Sequence, residues 1–334
     1  MTLPNNTSTP RVQLEPCFQE VLEREQLSPD FIRTPETQRA GYVDFSLDPQ
    51  WLKRLPPAIE HQWSIPTRDG QSTITLTMNR PVGTENTILP VVVYIHGGGW
   101  VVGDATTHRR PRTELAIAAH AAVIFVSYTR SPEKKYPVAL EECYDTVLWV
   151  ANETNAQSIY VDPTKLVLVG DSAGGNLTVA VTLLAKQRQF NGIQGQILFY
   201  PVTDCQFDTD SYKKYGGKEY DPSRELMEWF FDQYVPDKED REKITVCPLK
   251  ATLDDLKELP PTLVLTCEVD CLLDEGEAFA RKLLAAGVDV TAIRILGTIH
   301  GFLDMPFYNS RAAQAGIDHA VLMLKKIWEK TSTL

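Results

Sequence analysis

Seven short strand-forming runs, separated by stretches of helical periodicity, constrain this chain more than any other feature. The runs are Thr73–Thr77, Val91–Ile95, Val123–Ser127, Leu166–Val169, Ile197–Tyr200, Leu263–Cys267 and Val290–Ile295. Most are continuous Val, Ile and Leu, as strands covered on both faces require. Helices are predicted between and after them over Arg112–Ala121, Ala139–Asn152, Gly174–Gln187, Glu275–Ala286 and Ala312–Lys330. Alternation of this kind leads to an α/β fold, a mostly parallel central sheet flanked by helices. No repeat interrupts it, so a solenoid is excluded.

Two stretches depart from the pattern. Residues 1–55 read as helical and aromatic, with Phe18, Phe31, Tyr42, Phe45 and Trp51 and no strong strand. Residues 206–248 separate two strands by far more than one crossover needs. They carry Tyr212, Tyr215, Tyr220 and the dense Trp229-Phe230-Phe231 with Tyr234 on a predicted helix. An insertion of that length at the C-terminal edge of a strand predicts a lid over a ligand site.

The sharpest local signal is Gly170-Asp171-Ser172-Ala173-Gly174-Gly175, directly after one strand and before one helix. A serine on so tight a strand-to-helix turn needs neighbours without bulky side chains, which Gly170 and Gly174 supply. The helix N-terminus then offers backbone N–H groups to a developing oxyanion. A second signal, His96-Gly97-Gly98-Gly99-Trp100, closes the strand Val91–Ile95. Three glycines permit the backbone to aim several N–H groups at one point. A phosphate-cradling loop is the rival, but G-x-x-x-x-G-K-[ST] is absent. His96, opening that loop, reads as its support.

A serine nucleophile needs a base, and the base an orienting carboxylate. Of the six histidines (61, 96, 108, 120, 300 and 319), His61 precedes the predicted sheet, His108 and His120 flank a helix, and His319 sits within the last helix. His300, in Gly297-Thr298-Ile299-His300-Gly301-Phe302, follows the last strand at the same edge as Ser172 and is the predicted base. The acid falls between serine and histidine in this chain order. Asp270 ends the strand Leu263–Cys267 and is preferred. Glu268 stays open, and Asp274 and Glu275 read as helix N-terminal caps.

These motifs make the chain resemble the hormone-sensitive-lipase-like (family IV) carboxylesterases of the α/β-hydrolase superfamily. The resemblance rests on His96–Trp100, Gly170–Leu177, Asp270 with Asp274-Glu275-Gly276, and His300-Gly301-Phe302. It includes Ser131-Pro132-Glu133 with Tyr136-Pro137, and Leu259-Pro260-Pro261-Thr262, covering about residues 60–325. It implies a nucleophile at Ser172, a base at His300 and an acid at Asp270. The oxyanion donors would be the N–H groups of Gly98, Gly99 and Ala173, with Gly97 shaping the loop and His96 and Trp100 supporting it. It implies an α/β-hydrolase core in two parts, 56–205 and 249–334, under a helical cap built from 1–55 and 206–248. Leu273 and Thr129-Arg130 depart from the family pattern at supporting positions. No metal or other cofactor is implied. The partner would be a small ester of short to medium acyl chain, with transfer to another alcohol, amide or lactone cleavage, and a receptor role as alternatives. The resemblance is compatible with a homodimer.

Composition narrows the remaining classes. A net charge of −11, from 33 basic and 44 acidic residues, argues against a nucleic-acid partner. The start, Met1 to Thr7, has neither basic nor apolar region, and the longest apolar run, Leu89 to Ile95, is far short of the roughly 20 residues that span a bilayer. The expectation is a cytoplasmic protein without a membrane span. The six cysteines (17, 143, 205, 247, 267 and 271) lack Cys-x2-Cys spacing and paired histidines, and read as buried thiols in a reducing compartment.

Overall fold

The computed structural model describes residues 12–24, 32–46, 53–303 and 310–331. Phe31, Trp51, the segment Met1 to Thr7 and the side chain of Phe45 lie outside what is described. The strands are β1 (Ala58–Pro66), β2 (Thr73–Pro81), β3 (Leu89–Ile95), β4 (Ala122–Ser127), β5 (Val161–Asp171), β6 (Gly195–Phe199), β7 (Thr262–Val269) and β8 (Val290–Ile299). They form one sheet in the order β1-β2-β4-β3-β5-β6-β7-β8. The contacts β1–β2 and β2–β4 are antiparallel, and all five others are parallel.

β1 was not expected. In Ala-Ile-Glu-His-Gln-Trp-Ser-Ile-Pro only Ile65 is buried, so an edge strand that pairs through its backbone leaves little apolar signal. His61 therefore lies on the sheet's edge strand, not before the sheet, where its ring stacks on Trp63 at 5.5 Å.

The central strands alternate between two cores. Val91, Val93 and Ile95 of β3 face the layer of helices Val138–Ala151 and Ala173–Gln187, while Val92 and Tyr94 face helices Arg109–Ala119 and Arg311–Thr331. β4 divides likewise, with Ile124 and Val126 against Val123 and Phe125. Helix Leu273–Ala285 extends the first layer through Phe279 and Leu283 onto Leu198 of β6 and Val264 of β7. Burial on both faces explains the near-unbroken apolar runs. Among the described residues, no helix is long and apolar enough to cross a membrane.

The helix Arg224–Tyr234 of the 206–248 insertion follows the expected aromatic run, with Leu226, Met227, Phe230, Phe231 and Tyr234 buried. Near the N-terminus, helix Pro16–Arg24 seats Phe18 in the second core, and Glu15 N–H bonds the Gly297 carbonyl at the end of β8 at 3.0 Å. Helix Pro35–Ser46 is held by Arg39. Its guanidinium donates to Glu133 at 2.6 and 2.8 Å, to the Val101 carbonyl at 2.9 Å and to the Ser131 carbonyl at 3.0 Å. These hydrogen bonds from Arg39 hold the Glu133 carboxyl down at about 2.

Because the Arg39–Glu133 pair is half exposed, it contributes less than about 1 kcal/mol to global stability. Its role is local docking. Arg39→Gln should accelerate amide hydrogen exchange across Pro35–Ser46 while moving the urea midpoint little; unchanged exchange there would reject this reading.

Candidate active site

Four parallel strands, β3, β5, β7 and β8, end at one edge of the sheet, and each delivers one part of the site there. β5 delivers Ser172, at φ 53° and ψ −121°, on the turn into helix Ala173–Gln187. A non-glycine residue is rarely held in that conformation, and the neighbouring glycines are what admit it. A Cβ on Gly170 would strike the Gly174 carbonyl and the Thr178 hydroxyl, and one on Gly174 would strike the carbonyls of Ile95 and His96.

β7 delivers Asp270 and β8 delivers His300. The β7–β8 register shifts between Cys267 and Val269, where Glu268 accepts the Gly297 N–H at 2.7 Å. Glu268 thus ties two strands together. His300 Nδ1 lies 2.7 Å from Asp270 Oδ2, and His300 Nε2 lies 2.9 Å from Ser172 Oγ. Asp270 Oδ1 also accepts the Leu272 N–H at 2.8 Å, which fixes its carboxylate plane. The Tyr200 ring packs 4.6 Å from the imidazole. All three side chains are buried, with residue exposures of 8% for Ser172, 3% for Asp270 and 9% for His300. The chain of hydrogen bonds can move a proton from the hydroxyl to the imidazole, with the carboxylate stabilising the charge that forms.

β3 delivers the glycine loop beside the serine. The missing Cβ of Gly97 leaves room for the Asp171 carboxylate and for Ser172 Cβ, which an added Cβ would meet at 3.1 Å. Gly98 sits at φ 100° and Gly99 at φ 56°, and the Phe230 ring occupies the space a Gly99 side chain would need. Ala173 is the first residue of its helix, where backbone N–H groups lack intrahelical acceptors. The loop is braced from behind. The His96 ring stacks 4.1 Å from Tyr128 and 5.0 Å from Phe125. Burial, with the neighbouring His108 ring, pushes its pKa to about 3, so the imidazole is neutral and its Nδ1–H donates to the Gly97 carbonyl at 2.7 Å. Trp100 stacks 4.5 Å from Tyr234 and meets Phe231 edge-on at 5.0 Å, joining the loop to the insertion helix.

Sequence reasoning missed a second ring of polar groups. Asp171 is buried next to Ser172, with Oδ1 accepting the Tyr94 hydroxyl at 2.8 Å and Oδ2 lying 3.3 Å from His108 Nε2. Burial alone would raise its pKa, but the His108 ring and the Tyr94 hydroxyl outweigh that and hold it below the ordinary carboxylate range. His108, expected only to flank a helix, thus anchors the serine turn. Tyr94, the one polar tip on an aliphatic strand, was the available signal. Asn176 donates from Nδ2 to the carbonyls of Val202 at 3.0 Å and Val246 at 2.9 Å, which ties the two ends of the insertion to the serine's helix.

Asp274 and Glu275 do not simply cap their helix. Asp274 accepts the Ser211 N–H at 2.7 Å, and Glu275 Oε1 accepts the N–H groups of Thr203 and Asp204 at 2.7 and 3.1 Å, so both anchor the insertion. Burial pushes the Glu275 carboxyl well above its ordinary 4.5, despite the two backbone donors. Its protonated form is therefore favoured in the fold relative to the unfolded chain.

Two consequences can be measured. Gly174→Ala should remove folded protein from the soluble fraction or cost more than about 3 kcal/mol by urea denaturation, since backbone carbonyls cannot step aside; near-native stability would sink this packing argument. For Glu275, a raised native pKa means that stability is fully present below about pH 4.5 and falls as pH rises toward the native value, by at most about 1.4 kcal/mol per pH unit. Glu275→Gln keeps the acceptor and cannot ionise. Its stability relative to the parent should therefore grow between pH 5 and 8, and a flat difference would place the charge in the native state.

Residues 92–304 match a family model described as the alpha/beta hydrolase fold. An esterase of the fungus Rhizomucor miehei superposes with a TM-score of 0.92 at 50% sequence identity, over 96% of this chain and 99% of that one. An alpha/beta hydrolase of Acanthamoeba polyphaga mimivirus is 38% identical over 255 residues, 76% of this chain and 72% of that protein. Carboxylesterase NlhH of Mycobacterium tuberculosis is 34% identical over 239 residues, 70% of this chain and 72% of that protein. With the parallel sheet, the glycine loop and the serine turn already described, these likenesses make the chain a member of the alpha/beta hydrolase fold family, in its hormone-sensitive-lipase-like carboxylesterase branch.

Proposed function

We propose that this carboxylic ester hydrolase works by two-step acyl transfer through Ser172. The observation that carries the reading is the unbroken Ser172–His300–Asp270 hydrogen-bond chain, 2.9 and 2.7 Å long, at the mouth of a glycine loop. His300 Nε2 takes the hydroxyl proton as Ser172 Oγ attacks the ester carbonyl. The N–H groups of Gly98, Gly99 and Ala173 receive the oxyanion, Gly97 letting the loop approach. His300 then returns the proton to the departing alcohol, and water repeats the cycle on the acyl-enzyme. Asp270 holds the Nδ1–H tautomer throughout.

The substrate class we assign is a small ester of short to medium acyl chain, beneath a cap formed by 206–248 with residues 1–55. What supports this is the Phe230 ring against Gly99, an aromatic wall beside the glycine loop. A wall there limits the acyl or alcohol group by size. The alternatives of acyl transfer to another alcohol, or of amide or lactone cleavage, use the same triad, and a folded parent inert on every ester below turns the reading to them.

Hydrolysis of p-nitrophenyl esters from acetate to palmitate should peak at short to medium chains and fall at least 10³-fold in Ser172→Ala. A folded parent inert on all chain lengths overturns the generic esterase; turnover retained in Ser172→Ala overturns the acyl-enzyme. Phe230→Ala should raise the hexanoate-to-acetate ratio of kcat/KM by roughly tenfold. An unchanged ratio would take Phe230 out of the specificity wall.

A further inference from the structure

The two ends of the 206–248 insertion are drawn together beside the serine's helix. Asn176 bridges the carbonyls of Val202 and Val246, the Leu249 N–H donates to the Thr203 carbonyl at 2.9 Å, and the Val202 N–H donates to the Ser172 carbonyl at 3.2 Å. A cysteine stands at each end, Cys205 where the chain leaves the sheet and Cys247 where it returns. Both are free thiols, and their sulfurs lie within 4.8 Å of each other and of an Asp204 carboxylate oxygen. Cys205 is partly exposed, whereas Cys247 is buried. The expectation of six buried thiols therefore fails at Cys205, as it does at the partly exposed Cys17.

We propose that Cys205 and Cys247 are a reversible thiol–disulfide couple that staples the two ends of the insertion together when a low-molecular-weight disulfide oxidises it. The accessible sulfur is the attacker and the buried one resolves. The hydrogen bond from the Cys247 thiol outweighs the burial of Cys205 and, with the nearby Lys250 ammonium, brings the Cys205 thiol down to about 7; the same bond and burial push Cys247 up. A thiol near ambient pH is the best attacker of a disulfide. With glutathione disulfide, Cys205 Sγ⁻ attacks one sulfur, the glutathione S–S bond breaks and one glutathione thiolate leaves. Cys247 then loses its proton to solvent and attacks Cys205 Sγ, breaking the mixed disulfide and releasing the second glutathione thiolate. Two protein thiols are oxidised and one glutathione disulfide is reduced to two glutathiones. The third neighbour, Asp204, could suggest a metal cluster, but Lys250, held by Glu242 at 2.6 Å, puts a positive charge beside the sulfurs and disfavours a dication there.

The test uses the full chain treated with glutathione disulfide at pH 8, alkylated and digested with trypsin. Peptides 189–213 and 244–250 each carry one of the two cysteines. They should appear as one cross-linked species, with two of the six thiols lost and both restored by dithiothreitol. Closing a loop of this length should raise Tm by roughly 5 °C in the oxidised form. Cys247→Ser should leave a lasting glutathione adduct on Cys205, and Cys17→Ser should leave the cross-link intact. A parent that stops at the Cys205 adduct, or reacts only at Cys17, overturns the proposal. So does a one-to-one zinc complex that shields both thiols. None of these readouts depends on ester turnover, so failure of the esterase mechanism and failure of the couple are separately visible.

Discussion

The structure around Ser172 depends on two backbone turns passing within van der Waals contact. β3 and β5 are neighbours in a parallel sheet, so the turns that follow them leave the same edge side by side. Gly174 faces the carbonyls of Ile95 and His96, and Gly97 faces Asp171 and Ser172. Each turn is glycine at the point where the other presses on it. With both Cβ atoms absent, the two turns pack directly against each other at the serine. That close approach is a steric consequence of strand order.

Around that contact the fold sets the charge of buried polar groups, in some cases through burial and in one against it. Asp171 remains ionised because Tyr94 and His108 reach it from the second core. His96 is neutral, so it can donate to the Gly97 carbonyl, and its flat contact with Tyr128 fixes the ring. Glu275 shifts the other way: burial favours its protonated form, against the two backbone N–H groups that donate to Oε1. Each group is in the charge state its neighbours can satisfy, and together they connect the serine turn, the glycine loop and the insertion into one polar framework.

Much of this was legible in the residues. The serine turn, the glycine loop, Asp270 and His300 could be singled out because each sits at the end of an apolar strand, a position that strand–helix alternation reveals. The exposed edge strand β1 was illegible because it pairs through its backbone and buries only Ile65. From the sequence His108 reads as flanking a helix and Glu275 as a helix cap, while Asp171 is named in the serine motif without a role of its own. Their neighbours Tyr94, Thr203 and Asp204 are distant in the chain, and apart from the polar tip of Tyr94 on its apolar strand no local pattern announces such a contact. Cys205 and Cys247 likewise carry no spacing signal, since the insertion between them has a length set by its own packing.

By itself the sequence determined the class of fold, the edge of the sheet where chemistry belongs, and the residue types available there. Periodicity, glycine placement and chain order are local properties, and they survive in a one-dimensional reading. The tertiary structure alone decided the partners: which nitrogen of His300 faces Ser172, which carboxyl stays charged, which loop Phe230 covers, and which two of six thiols meet. Those outcomes depend on distances and desolvation across chain separations of tens to more than a hundred residues. They exist only once the two cores have packed against the sheet.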